Sequence, residues 1–155
     1  MRAAAERFSL DTNILVYSID NAAGERHALA AEIVDRAADC DCWLTLQALS
    51  EFYASVTRKN IVPAVDAAAI VNDWLEIFPV AQASAGAVRA AMADAAARRI
   101  SFWDGLLLAA AAEAGCRVLV SEDMAQGARI GGIAILNPFA GKGLAEPVRR
   151  LLEQR

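Results

Sequence analysis

The chain has 155 residues, 57% of them hydrophobic, and a formal net charge of −4. That size suits one domain with a single sizeable core, and the acidic balance excludes a broadly cationic nucleic-acid binder. No apolar run approaches the roughly 20 residues of a bilayer span, and Met1 to Arg7 lacks the apolar heart of a signal peptide.

Strand and helix signals then alternate along the chain, which predicts a layered α/β domain. Arg7 to Leu10 reads as a first strand, followed by a helical segment through Ile19. Gly24 to Ala38 has helical spacing, with Ala28, Ile33 and Val34 facing inward. Trp43 to Thr45 is a brief strand. Gln47 to Arg58 is a helix whose inward stripe is Leu49, Phe52, Tyr53 and Val56.

After Pro63, Val65 to Ile77 resumes as a helix carrying Ile70, Val71, Trp74 and Leu75. Pro79 to Gln82 reads as an edge strand, because proline cannot donate to a central ladder. Ser84 to Arg98 and Ser101 to Ala114 are helices, the second apolar nearly all round and stopped by Gly115. Arg117 to Val120 is the strongest central strand and Ile133 to Leu136 a final one. Lys142 to Arg155 reads as an appended amphipathic helix with Leu144, Val148, Leu151 and Leu152 on one side. It is either docked on the domain, the favoured reading, or a partner-binding tail.

Four acids stand where a hydrophobic segment hands over to the next element: Asp11, Glu51, Asp104 and Asp123. Asp11 and Asp123 follow strand-like runs and so project at the carboxyl edge of a parallel sheet, where open α/β sheets bind ligands. Asp104 lies in the first turn of a buried helix, and Glu51 sits off its helix's apolar stripe. Each has a plainer role open to it. Asp11 suits an N-cap, Ser101 to Asp104 a capping box, Glu51 a solvated helix face, and Asp123 a polar turn. Taken together, unneutralised carboxylates repel and raise one another's pKa, a cost that a hard divalent cation relieves.

The remaining polar residues carry less. Cys40, Cys42 and Cys116 cannot all pair within the chain, which suits a reducing compartment. No second Cys/His cluster completes a tetrahedral zinc site around Cys40 and Cys42. His27 reads as a surface or rim residue. Arg58-Lys59 and Arg98-Arg99 read first as helix-end charge and second as guides for a phosphate backbone. Trp43, Trp74 and Trp103 read as core packing rather than base-stacking platforms.

Phe8-Ser9-Leu10-Asp11-Thr12-Asn13-Ile14-Leu15-Val16-Tyr17, the Glu51 segment, Phe102-Trp103-Asp104 and Leu119-Val120-Ser121-Glu122-Asp123-Met124 resemble, in that order, the motifs of PIN domains. The similarity is closest to VapC-type ribonuclease toxins, over about Phe8 to Phe139. The resemblance implies a three-layer α/β/α fold with a central, mainly parallel sheet. It implies a nuclease domain, placed here at residues 1–140; the C-terminal helical extension over 141–155 lies past the family's usual end, and nothing transfers to it. It also implies a Mg²⁺-dependent endoribonuclease, Mn²⁺ being the alternative ion, that serves as the toxin of a toxin–antitoxin pair.

By the same resemblance Asp11 and Asp104 are metal ligands and Glu51 binds metal directly or through water. Asp123 falls at a more variable fourth acidic position. Asn13 and Ser121 match small polar residues that orient the acids or the water, while Glu122 receives no fixed role. The implied partners are an RNA substrate, a second copy of the chain in a homodimer, and a cognate antitoxin whose Arg or Lys blocks the acidic pocket. The expected location is the cytoplasm, with no membrane association. Two other readings are open: a haloacid-dehalogenase-like phosphotransferase, which wants an aspartate where Asn13 stands, and a catalytically silent RNA- or protein-binding scaffold. A dinucleotide-binding enzyme is excluded by the lack of Gly-x-Gly-x-x-Gly after the first strand.

Overall fold

Three short parallel strands, β1 (Phe8–Leu10), β4 (Val118–Val120) and β6 (Ile133–Leu136), lie side by side at the centre of the molecule. All six residues of β1 and β4 are buried. A strand covered on both faces reads as a continuous apolar run, as Val118-Leu119-Val120 does. The computed structural model describes residues 5–124, 127 and 129–154. Met1 to Ala4, in the expected leaderless N-terminus, and Arg155, the expected end of the tail helix, lie outside the described residues.

A second parallel pair, β2 (Leu44–Thr45) and β3 (Val80–Ala81), extends this sheet beyond β1. The join is a parallel bridge from Phe8 to Cys42, with Trp43 N donating to Phe8 O at 2.9 Å. On the far side β5 (Arg129–Ile130) runs antiparallel to β6. The sequence reading has no β5. Gly131 and Gly132 form its two-residue turn at φ +59° and +82°, left-handed values that a Gly-Gly pair meets without Cβ strain. The chain leaves β1 for β2 on one side, while β4 lies on the other. Such a switch point opens a crevice at the strands' carboxyl ends.

Among the described residues seven α-helices surround the sheet: α1 (Thr12–Tyr17), α2 (Glu25–Ala37), α3 (Leu46–Arg58), α4 (Ala64–Ile77), α5 (Ala85–Ala96), α6 (Phe102–Glu113) and α7 (Glu146–Leu152). Their starts are written in side chains that accept backbone N–H groups: Asp11, Thr45, Ser84 and Ser101 cap α1, α3, α5 and α6. Their ends use left-handed residues. Gly115 (φ +87°) ends α6, with Cys116 N on Ala111 O and Gly115 N on Ala112 O, both at 3.0 Å. Asn60 and Arg98 perform the same turn for α3 and α5 at φ +53° and +56°.

Inward faces differ in detail from the periodicity. Leu49, Phe52 and Val56 bury the α3 stripe, and Phe52 meets Trp74 of α4 edge-on at 4.8 Å. Tyr53 and Leu75, expected inside, are each 41% exposed. They point into a hollow between α3 and α4, one helical step round from the lines that touch the sheet. Ala28 is exposed as well. The buried line of α2 is Ala30, Ile33 and Ala37. Gly105 lets α5 and α6 approach, since a Cβ there would stand 3.3 Å from Ile100 Cγ2 and 3.7 Å from the backbone of Ala91.

The tail joins the same core. Leu144, Val148, Leu151 and Leu152 are buried, Cys40 Sγ lies 3.5 Å from Leu152 O, and Glu6 N donates to Gln154 Oε1 at 2.8 Å. Its helix starts later than the sequence suggests, because Gly141 and Gly143 take positive φ and Pro147 suits only a first turn. No disulfide links the three cysteines. Burial pushes the Cys42 thiol well up and the Cys116 thiol up to about 11, so neither is a ready nucleophile.

Candidate active site

Asp11 ends β1, and its backbone N donates to Val120 O at 2.9 Å, so it stands against the end of β4. Its side chain is 7% exposed and works at two ends. Oδ1 accepts the Thr12 N–H at 2.8 Å, and Oδ2 accepts the Ser121 hydroxyl at 2.7 Å. The cap role and the site role are therefore one arrangement. Burial raises the Asp11 pKa above its ordinary value. The bonds from Ser121 and Thr12 pull it back, and the Asp104 and Asp123 carboxylates push it up further. Those two acids thus share a field with Asp11 although they lie 93 and 112 positions away in the chain.

Glu51 reaches the site from α3 and is exposed. Its Oε2 accepts the Thr12 hydroxyl at 3.0 Å and its Oε1 accepts Gln47 Nε2 at 2.8 Å. Gln47 Nε2 also donates to Trp103 O at 2.9 Å. A hydrogen-bonded line therefore joins α1, α3 and the first turn of α6. Asp104 follows Trp103 in that turn and is exposed; the Ser101 hydroxyl accepts its backbone N–H at 3.3 Å, so the Ser101 half of the capping box forms. Asp123 is exposed on the bend after β4.

A groove of about 560 Å³ gathers Thr12, Asn13, Glu51, Asp123, Arg58 and Lys59. Asn13 borders this groove, and among the described residues neither buried amide atom of its side chain has a hydrogen-bond partner. Arg58 and Lys59 end α3, as helix-end charge would, and they also wall this groove. The donor set is oxygen-based throughout, carboxylates with an amide, which is what a hard divalent cation takes. As the side chains lie, no three His, Cys, Asp or Glu residues among the described ones are gathered tightly enough to grip an ion.

Several residues of the site went unread in the sequence. Gln47 stands four positions before Glu51 on one helix face, a spacing that foretells their contact. Trp103, expected in the core, is 62% exposed beside Gln47. Glu122 is engaged by two side chains from the first two helices. Arg26 Nε donates to it at 2.6 Å and the Tyr17 hydroxyl at 3.0 Å, and burial together with this bond raises the Tyr17 pKa. No local signal announces a contact that spans 96 positions. His27 is half-buried, with Nδ1 2.9 Å from Tyr17 O, on the side of the fold that holds this clamp.

The family model described as PIN domain matches residues 9–128. Solved structures share the fold at low identity. VapC20 of Mycobacterium tuberculosis, described as a sarcin-ricin loop cleaving toxin, is 22% identical with a TM-score of 0.59, over 75% of this chain and 89% of that one. A DNA-bound VapBC from Salmonella typhimurium is 21% identical with a TM-score of 0.60, over 84% and 96%. PAE2754 from Pyrobaculum aerophilum is 20% identical with a TM-score of 0.61, over 99% and 100%. No curated protein sequence matches the chain.

Proposed function

Since the chain belongs to the PIN-domain family, we propose that it is a metal-dependent endoribonuclease and the toxin of a toxin–antitoxin pair. The observation that carries this reading is the state of Asp11: a carboxylate buried at the sheet's carboxyl edge, with Asp104 and Asp123 raising its pKa still further. A fold keeps so costly an arrangement where a cation or a reaction needs it.

Asp11 and Asp104 would hold the ion, Mg²⁺ or Mn²⁺, with Glu51 and Asp123 completing its surroundings. A bound divalent cation supplies an activated water and screens charge building on phosphate. The chain's own residues do the rest. Ser121 and Thr12 fix the Asp11 carboxylate; Thr12 and Gln47 fix that of Glu51. The Asn13 amide, unpartnered at the groove's edge, supplies a donor and an acceptor to a water or a phosphate oxygen once its side chain turns outward. Arg58 and Lys59 pair with the flanking backbone. Water adds to phosphorus and gives its proton to Glu51 or Asp123; the bond to the upstream 3′ oxygen breaks, and that oxygen takes a proton from solvent. The downstream fragment keeps the phosphate and the upstream fragment a hydroxyl.

RNA as substrate, a homodimer, an antitoxin partner and a cytoplasmic setting belong to the same reading. Support for the antitoxin comes from solved neighbours that are toxin–antitoxin complexes, one of them from Klebsiella pneumoniae. Chemically, an antitoxin guanidinium suits the site, since it can pair with two carboxylate oxygens at once. Asp11→Asn and Asp104→Asn should each abolish Mg²⁺-dependent RNA cleavage while the chain stays folded. Retained cleavage in both variants would overturn the assignment.

A further inference from the structure

We propose that Trp103 and the apolar hollow beside it form a nucleobase subsite, in which the indole stacks on a base flanking the scissile phosphate. The inference rests on the ribonuclease reading above. Trp103 is the most exposed of the large aromatic side chains, 62% open to solvent, although it belongs to a helix that is apolar nearly all round. Phe102 meets its ring edge-on at 5.1 Å and 69°, a contact that favours this orientation of the indole. The ring borders a second hollow, of about 650 Å³, walled by Leu46, Ala83 and Leu106.

Continuity decides what occupies it. This hollow and the acidic groove share two residues, Glu51 and Ala54, so they meet along one face of α3. Gln47 ties the two together by donating to both the Glu51 carboxylate and the Trp103 carbonyl. Asp104 follows Trp103 directly in the chain. An RNA strand whose phosphate lies over the acids must place a base to either side within one nucleotide. On the α6 side, that base meets an apolar hollow with an exposed aromatic plane at its mouth. Stacking of this kind tolerates any base, so Trp103 sets affinity and register, not sequence.

The test is steady-state cleavage of short random-sequence single-stranded RNA in Mg²⁺ by the full chain, Trp103→Ala and Trp103→Phe. Trp103→Ala should raise KM about 5- to 100-fold with kcat held, and Trp103→Phe should recover most of the loss. The thermal midpoint of both variants should match the parent, because the ring buries little. A parent chain that cuts RNA while Trp103→Ala cuts with the same KM overturns the base subsite alone. So does a Trp103→Ala variant whose only change is weaker self-association in light scattering. A parent chain that cuts no RNA sinks this subsite and the nuclease reading together.

Discussion

Ser121 donates its hydroxyl to Asp11 Oδ2 at 2.7 Å, from the residue after β4 to the residue after β1. The bond spans two neighbouring parallel strands and favours the ionised form of a carboxylate that burial pushes toward protonation. Removing the donor leaves that push unopposed at Oδ2. Ser121→Ala should therefore raise the Asp11 pKa further and move the acid limb of the kcat/KM profile to higher pH. Activity on that limb falls and returns as the pH is raised. A profile whose acid limb stays put would show that Asp11 does not govern it.

Asp11 also couples the site to stability. Its folded pKa lies above its unfolded value, so the folded state carries a penalty wherever the carboxyl is ionised. The penalty is fully present above the folded pKa and vanishes below the unfolded one. Asp11→Asn removes the charge while keeping an oxygen for the Thr12 N–H. The variant should melt higher than the parent near neutral pH, by about 2–4 °C for each kcal/mol relieved, and the gap should close as the pH is lowered. Calorimetry across that range checks the sign; a variant less stable than the parent at every pH would refute it.

The central strands were legible because burial on both faces leaves only apolar residues, as in Val118-Leu119-Val120. The acids stood out as candidates because Asp11 and Asp123 follow strand-like runs and Asp104 lies in a helix's first turn, while Glu51, the sixth residue of α3, stood out only by its place off the apolar stripe. What stayed hidden is long-range or geometric. Glu122 finds Arg26 and Tyr17 only through the fold. Trp103 reads as core by its neighbours, yet it is left open to solvent in the first turn of α6. Tyr53 and Leu75 differ from their buried neighbours by one helical step, which a periodicity of 3.6 does not resolve at a stripe's edge. The β5 turn was available in Gly131-Gly132, but two residues of strand are too few for any alternation to be seen.

Glu51 has two hydrogen-bond donors, Thr12 from α1 and Gln47 from its own helix. Losing either lets the carboxylate swing, and losing the second after the first changes less. Gln47→Ala and Thr12→Val should each lower kcat, and the double variant should fall short of the product of the two. Thr12→Val keeps the backbone N–H that Asp11 accepts, so the effect is read at Glu51 alone. Independent, multiplying losses would mean that the two residues act on different groups.

Arg98 ends α5 at φ +56°, where an L-residue other than Asn or Gly is strained. Its N–H still closes on Ala95 O at 3.0 Å, and Arg99 N on Asp94 O at 3.0 Å, so the turn is set by the helix end and not by the arginine. Arg98→Gly should stabilise the chain by about 0.5–1 kcal/mol, after the larger freedom of glycine in the unfolded chain is counted. RNA cleavage should be unchanged. Chemical denaturation of both proteins decides it, and a destabilised variant would point to a contact of the guanidinium worth more than the strain.

Divalent metal should itself stabilise the folded chain, and by a route that separates binding from catalysis. Asp11 is held against its own burial and against the fields of Asp104 and Asp123, so a cation between them relieves a cost already present in the fold. An ion that binds the folded state alone adds about 2.7 kcal/mol when its concentration is a hundredfold above Kd. Titrating Mn²⁺ into chelator-treated protein should raise the thermal midpoint progressively. The rise should be lost in Asp104→Asn, which removes the proposed ligand on the exposed side and leaves the Asp11 hydrogen bonds intact. A midpoint that does not respond to Mn²⁺ in the parent chain, or that responds equally in Asp104→Asn, would mean the ion binds elsewhere or not at all.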